Sequence, residues 1–173
     1  MKLILMMALT VDGKIAKNDK HFANWTSKAD KKSFVKTTKK SGVIIMGRKT
    51  YATFPKPLPD RLNVVLTQNP QNHEDIPDLV EFTNSKPQDL LDNLEKKGYE
   101  SAILGGGSTI NSLFIKNQLV DELLLTIEPK LFGQGVDLFK NVDLNLDLKL
   151  LNCEKLDENV LQLRYKIVYN NKR

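Results

Sequence analysis

Apolar and polar positions fall in blocks along this chain, and the block lengths separate strands from helices. Lys2 is followed by Leu3-Ile4-Leu5-Met6-Met7-Ala8-Leu9, an unbroken apolar run that predicts a strand buried on both faces, as in a parallel sheet. Val43-Ile44-Ile45-Met46, Asn63-Val64-Val65-Leu66-Thr67 and Glu122–Ile127 read the same way, with shorter runs near Val80–Phe82 and Ala102–Leu104. Helical spacing recurs between them, at Lys28–Lys40 with Ser27 or Thr26 as its cap, at Pro87–Lys97 and at Ser108–Lys116. Further on the period drops to two. Leu161, Leu163, Tyr165, Ile167 and Tyr169 alternate with polar neighbours, so Lys149–Leu156 and Val160–Tyr169 are expected to form an antiparallel hairpin half open to water. Strands alternating with helices predict an α/β fold, a mainly parallel central sheet with helices on both faces and this hairpin at one edge. Thr10–Asn24 and Gly133-Gln134-Gly135 read as loops. No internal repeat or low-complexity linker interrupts the 173 residues, and residues 1–173 are expected to form one domain.

Composition narrows the chemistry. The net charge of +5 favours anionic partners, but the aromatic RNA-binding signatures, zinc-finger spacings and long basic tails of nucleic-acid binders are absent. Nucleic acid is therefore not an expected partner. Cys153 is the only cysteine, which excludes an intrachain disulfide and a cysteine metal cluster; a packed, inert strand position is expected for it. His21 and His73 stand far apart with no ligand partner at metal-site spacing, so no metal is expected. The first apolar run superficially resembles a signal peptide. Its basic region is minimal, Asp12 arrives early and no small-x-small cleavage site follows, while the run is too short to cross a bilayer. A cytoplasmic protein without membrane partners is the expectation.

In an open parallel sheet, ligands sit at the carboxyl ends of the strands. Three such ends are distinctive here: Gly47-Arg48-Lys49-Thr50, Thr67, and Leu104-Gly105-Gly106-Gly107-Ser108-Thr109. The last removes every Cβ from a strand-to-helix turn, and the helix behind it offers free N–H groups and a positive dipole end. Cations, hydroxyls and backbone donors are the parts that hold a polyphosphate. Each segment also has a plain reading: a tight turn, two exposed charges, a strand-end cap. Asp30 is likewise double-edged. It shares a helix face with Phe34, with Trp25 close by in sequence, and a partly desolvated carboxylate there would bind a flat, nitrogen-rich ring. Ser27-x-x-Asp30 also fits a capping box.

Taken in order, these pieces resemble the dihydrofolate reductase family. The matching segments are Leu9-Thr10-Val11-Asp12-Gly13-Lys14-Ile15-Ala16, then Trp25 with Asp30 and Phe34, Met46-Gly47-Arg48-Lys49-Thr50-Tyr51, Pro57-Leu58-Pro59-Asp60-Arg61, Leu104-Gly105-Gly106-Gly107 and Leu125-Thr126. The resemblance implies an NADPH-dependent oxidoreductase that reduces 7,8-dihydrofolate to tetrahydrofolate in one-carbon metabolism. It implies Asp30 as the acid of the pterin pocket, supported by Thr126, with Trp25 nearby. Met6, Met7, Phe34, Phe54 and Leu58 would line the substrate site, and Arg61 would pair with the carboxylate of the folate tail. On the cofactor side it implies Ala8, Ile15 and Ala16 beside the nicotinamide, covered by the loop to Trp25. Gly47, Arg48, Lys49, Thr50, Thr67, Leu104, Gly105, Gly106, Gly107, Ser108 and Thr109 would hold the rest of NADPH.

Three features depart from that pattern. Ile110 stands where many family members carry a phenol, the loop before Trp25 is lengthened, and Glu128–Val136 is more similar to the pyrimidine reductases of riboflavin biosynthesis. A pyrimidine or other pterin reductase is thus the alternative enzyme, and a non-catalytic nucleotide-binding protein the alternative of another class. Monomer and homodimer remain equally open.

Overall fold

The chain traces fourteen helices and strands in the computed structural model, which describes residues 1–18, 21 and 24–169. In chain order they are β1 (Lys2–Thr10), β2 (Lys14–Ala16), α1 (Lys28–Ser41), β3 (Val43–Gly47), α2 (Arg48–Tyr51), β4 (Leu62–Leu66), β5 (Val80–Thr83), α3 (Pro87–Lys96), β6 (Ser101–Leu104), α4 (Ser108–Lys116), β7 (Glu122–Glu128), β8 (Val136–Asp137), β9 (Asp147–Asp157) and β10 (Val160–Val168). One eight-stranded sheet runs β5-β4-β3-β6-β1-β7-β10-β9. Every pairing from β5 to β7 is parallel, and β10 pairs antiparallel with both β7 and β9. This is the expected α/β architecture.

The unbroken apolar run of β1 follows from its place. It lies between β6 and β7, with Leu5 beside Leu104 and Ala8 beside Thr126, so both of its edges are paired, and an apolar layer covers each face. Leu3 and Leu5 join Phe114 of α4 and Leu90 and Leu94 of α3 in one core layer. Ile4 and Met6 point the other way, into a second layer with Ile44, Met46, Ile103 and Leu124, closed by Phe34 of α1 with Tyr51, Phe54 and Leu58. Ser27 caps α1, its side chain accepting from the Asp30 N–H. Gly42 ends the helix at φ 76°, donating to the Thr38 and Lys39 carbonyls, a left-handed turn that glycine adopts without strain. All six lysines of this helix are exposed.

Two expectations change. The stretch read as the loop Thr10–Asn24 contains β2, which pairs antiparallel with β8 just beyond Gly133-Gln134-Gly135. Neither partner is long enough to show a periodicity of its own, and the pairing is non-local. Asp19, Lys20, Phe22 and Ala23 of that stretch lie outside the described residues. Cys153 is in a strand, as expected, but exposed. It belongs to β9, the outermost strand of the sheet, where nearly every side chain meets solvent. Among the described residues, no helix is long and apolar enough to cross a membrane.

Phe114 is fully buried at the centre of the larger core layer. Phe114→Ala is expected to cost about 3–5 kcal/mol, through lost burial and a residual cavity, read as a lower urea midpoint at unchanged slope.

Candidate active site

Two backbone turns meet at the carboxyl edge of the sheet. The Gly47 N–H, at the end of β3, donates to the Gly106 carbonyl at 2.8 Å. Neither side has room for a methyl group: a Cβ on Gly47 would lie 2.8 Å from Ile110, one on Gly105 2.9 Å from Ile44, and one on Gly106 3.0 Å from the Met7 sulfur. Gly106 also takes φ 84°, and the Gly106–Gly107 peptide is cis. Glycine is thus required by contact as well as by conformation.

Behind this turn α4 begins at Ser108, whose buried hydroxyl has no hydrogen-bond partner among the described residues. The Thr50 hydroxyl faces the turn, 3.3 Å from where a Gly107 Cβ would stand. Arg48 and Lys49 are exposed on α2 alongside. An unpartnered hydroxyl, a helix N-terminus, a bare backbone and two cations form a set that fits a pyrophosphate.

Asp30 lies in the first turn of α1 and is only 8% exposed. Burial pushes its carboxyl above the ordinary 3.8, opposed by hydrogen bonds from the Thr126 and Thr26 hydroxyls and by Lys31, and reinforced by the nearby Glu128 carboxylate. Thr126 is itself oriented: Gln162 Nε2 donates to its Oγ1 at 3.1 Å, which aims the threonine proton at Asp30.

From Asp30 one stripe of α1 runs through Phe34 to Thr38, each a turn further on, so Thr38 lies about 12 Å along the axis from Asp30. The Phe34 ring lies nearly parallel to that of Phe54, centroids 6.4 Å apart and planes inclined 14°. The Arg61 guanidinium donates to the Thr38 hydroxyl, and its Nε donates to the Pro59 carbonyl at 2.8 Å. Arg61 is 5% exposed, and this burial lowers its pKa, partly offset by Asp60. The stripe therefore links a buried acid, a pair of flat apolar rings and a buried cation.

The expected site residues thus gather in two groups. Asp30 and Thr126 lie together, the threonine hydroxyl near enough to favour the charged carboxyl, with Ala8 beside Thr126. Met6, Phe34, Phe54 and Leu58 share one apolar layer. Gly47, Thr50, Gly105, Gly106, Gly107 and Ser108 form the glycine cradle, with Met7 against Gly106. Ile15 and Ala16 lie on β2, Ile15 packing on the larger core layer. Thr109 is exposed on the first turn of α4, whereas the Leu104 side chain is buried in the core and has only its backbone to offer. Thr67 follows Leu66, the strand partner of Gly47, and its hydroxyl accepts from the Asn69 N–H. Trp25 packs edge-on against Phe132, centroids 5.1 Å apart.

Sequence reasoning missed three polar residues. Asn63 is wholly buried and binds the Pro57–Arg61 loop, exchanging bonds with the backbone of Leu58 and donating to the Arg61 and Leu79 carbonyls. Gln162 aims Thr126, and buried Glu128 accepts two bonds from Ser27. An amide inside the apolar run Leu62–Leu66 was the visible signal for Asn63. Gln162 and Glu128 carried no such mark.

Comparison with known proteins agrees with this geometry. Residues 1–162 match the family described as the RibD C-terminal domain. The chain is 34% identical to Escherichia coli dihydrofolate reductase type 9, covering 76% of this chain and 70% of that protein. A putative riboflavin biosynthesis protein from Shewanella superposes with a TM-score of 0.76 at 26% identity, covering 98% of this chain and all of the other. Dihydrofolate reductase from Enterococcus faecalis, complexed with NADP(H) and RAB-propyl, superposes at 0.73 with 25% identity, covering 98% and 97% of the two chains. By its residues, its fold and these matches, the chain is a member of the reductase superfamily that unites the RibD C-terminal domain with dihydrofolate reductase.

Proposed function

We propose that this protein reduces 7,8-dihydrofolate to 5,6,7,8-tetrahydrofolate with NADPH, adding hydride at C6 and a proton at N5 of the pterin. The α1 stripe carries this reading. Asp30, the Phe34–Phe54 pair and Arg61 are disposed along it as a pterin, an aryl group and a carboxylate are disposed along a folate. NADPH, when bound, supplies the hydride. The chain supplies placement. The glycine cradle with Ser108, Thr50 and the two cations would take the pyrophosphate, and Arg48 or Lys49 the 2′-phosphate, which favours NADPH over NADH. Asp30, braced by Thr126, would hold the amino group and ring nitrogen of the pterin and orient the ring, with water as the proton's carrier.

The family match supports a second reading, a pyrimidine reductase acting on a ribosylamino-pyrimidine phosphate. A sugar packed against the Phe34 and Phe54 rings would strip water from its hydroxyls without gaining partners for them. NADPH oxidation measured with each substrate separates the readings: turnover is expected with dihydrofolate, and turnover confined to the pyrimidine would reverse the order.

Asp30→Asn is expected to lower kcat/KM for dihydrofolate by about 100-fold or more, with the fold retained; a near-normal rate would remove Asp30 from the substrate site. The same change has a signed effect on stability. The Asp30 pKa is raised on folding, so the wild type loses stability as pH rises from the ordinary carboxylate value through the raised one. Asn does not titrate, and the thermal midpoint of the variant at neutral pH is expected to equal or exceed that of the wild type. Arg61→Ala is expected to weaken dihydrofolate by about 10- to 100-fold, the worth of a hydrogen bond to a charged group, and NADPH far less. Equal loss of both ligands would remove Arg61 from the folate tail.

A further inference from the structure

Only half of the capping box written into Ser27-x-x-Asp30 is made. The Ser27 hydroxyl accepts from the Asp30 N–H at 3.1 Å. In a complete box the acid three residues on would accept from the N–H of the cap. Instead the Ser27 N–H donates to Glu128 Oε1 at 2.9 Å, and the Ser27 hydroxyl donates to the same oxygen at 2.9 Å. Glu128 is the last residue of β7, distant in sequence from Ser27 and 2% exposed. A carboxylate brought in by the sheet has taken the place that the helix's own acid would fill.

We propose that Glu128 is a positioning residue: by capping α1 from outside, it leaves the Asp30 carboxyl free to bind the substrate ring. The competition is local and strong. A helix N-terminus leaves its first N–H groups without intrahelical partners, and Asp30 stands at the position from which a side chain reaches back to the cap. With Glu128 present, the Ser27 N–H is satisfied and Asp30 turns to the Thr126 and Thr26 hydroxyls. With Glu128 truncated, that N–H lacks an acceptor, and a rotamer change would bring Asp30 back to it. The helix then keeps a cap while the pocket loses its acid. The groups facing Asp30 are the Thr126 hydroxyl and Glu128 from β7, Thr26 from the approach to α1, and Lys31 from α1 itself. Glu128 is the acid in that set, and its charge helps to hold the Asp30 carboxyl high.

The role of Asp30 rests on the reductase reading above, but the capture of Asp30 by its own helix can be measured without turnover. The experiment compares wild type, Glu128→Ala and Glu128→Gln by two readouts: the NADPH-dependent rate with dihydrofolate, and the titration of the Asp30 carboxyl by NMR, assigned with Asp30→Asn. Glu128→Ala is expected to move the Asp30 midpoint downward and to lower kcat/KM by about 10-fold or more, with the KM for NADPH unchanged. Gln retains an oxygen that can accept both Ser27 bonds. Glu128→Gln is therefore expected to keep the rate within about threefold, because an acceptor of the same reach preserves the cap, while its Asp30 midpoint also falls with the loss of the like charge. An Asp30 midpoint no lower in Glu128→Ala than in Glu128→Gln overturns the inference, because the lost like charge is common to both variants and the capture is not, as does Glu128→Ala with a wild-type rate. Should Glu128→Ala fail to fold, Glu128→Met, which fills the space and offers Ser27 no oxygen, takes its place in the comparison. A wild type inert towards dihydrofolate whose Asp30 midpoint still falls further without an acceptor at position 128 than with Gln there would count against the folate reading and for the capping exchange.

Discussion

The site depends on one contact, the approach of the β3 end to the β6 turn closely enough for the Gly47 N–H to reach the Gly106 carbonyl. A side chain on either turn would have to displace Ile110, Ile44 or Met7, which already occupy the space. The approach sets the start of α4 beside Thr50 and the cations of α2, and it brings Met7 against the bare backbone. The glycine cradle and the Asp30 stripe then share one edge of the sheet, because β1, β3, β6 and β7 all present their carboxyl ends there. The parallel order of these strands is what converts separate sequence motifs into neighbours.

The second constraint is the division of labour along α1. Its outer face carries lysines, and its inner stripe carries Asp30, Phe34 and Thr38, spaced by single turns and fixed at each end by polar contacts from other elements. Thr126 and Glu128 come from β7, Arg61 from the loop that Asn63 binds. Burying an acid on this stripe disfavours its charged form, a cost typical of groups placed for binding rather than for stability. The same burial strengthens any charge-assisted bond the acid makes to a ligand. Stability is supplied elsewhere, by the two apolar layers on either face of the sheet.

Much of this was legible in advance where chemistry is local. The apolar runs, the glycine turn, the Ser27 cap and the Gly42 stop depend on neighbours within a few residues, and each stands within a residue or two of its expected place. Asp30 illustrates the limit. Sequence spacing offered it two roles and favoured capping, and only the family resemblance pointed to ring binding. The choice between them turns on Glu128, about a hundred residues away. Cys153 shows the converse: its strand was readable, but its exposure depends on β9 being the last strand of the sheet.

From the sequence alone came the elements, their alternation and the residue types able to hold a phosphate or a flat ring, because periodicity, caps and turns are short-range properties. Tertiary structure alone decided which acid caps α1, that Gln162 aims Thr126, that Asn63 holds the loop of Arg61, and that β2 meets β8. Each of these is a bond between polar groups far apart in the chain, made only after the sheet has assembled, and no local pattern records a partner that folding has yet to bring near.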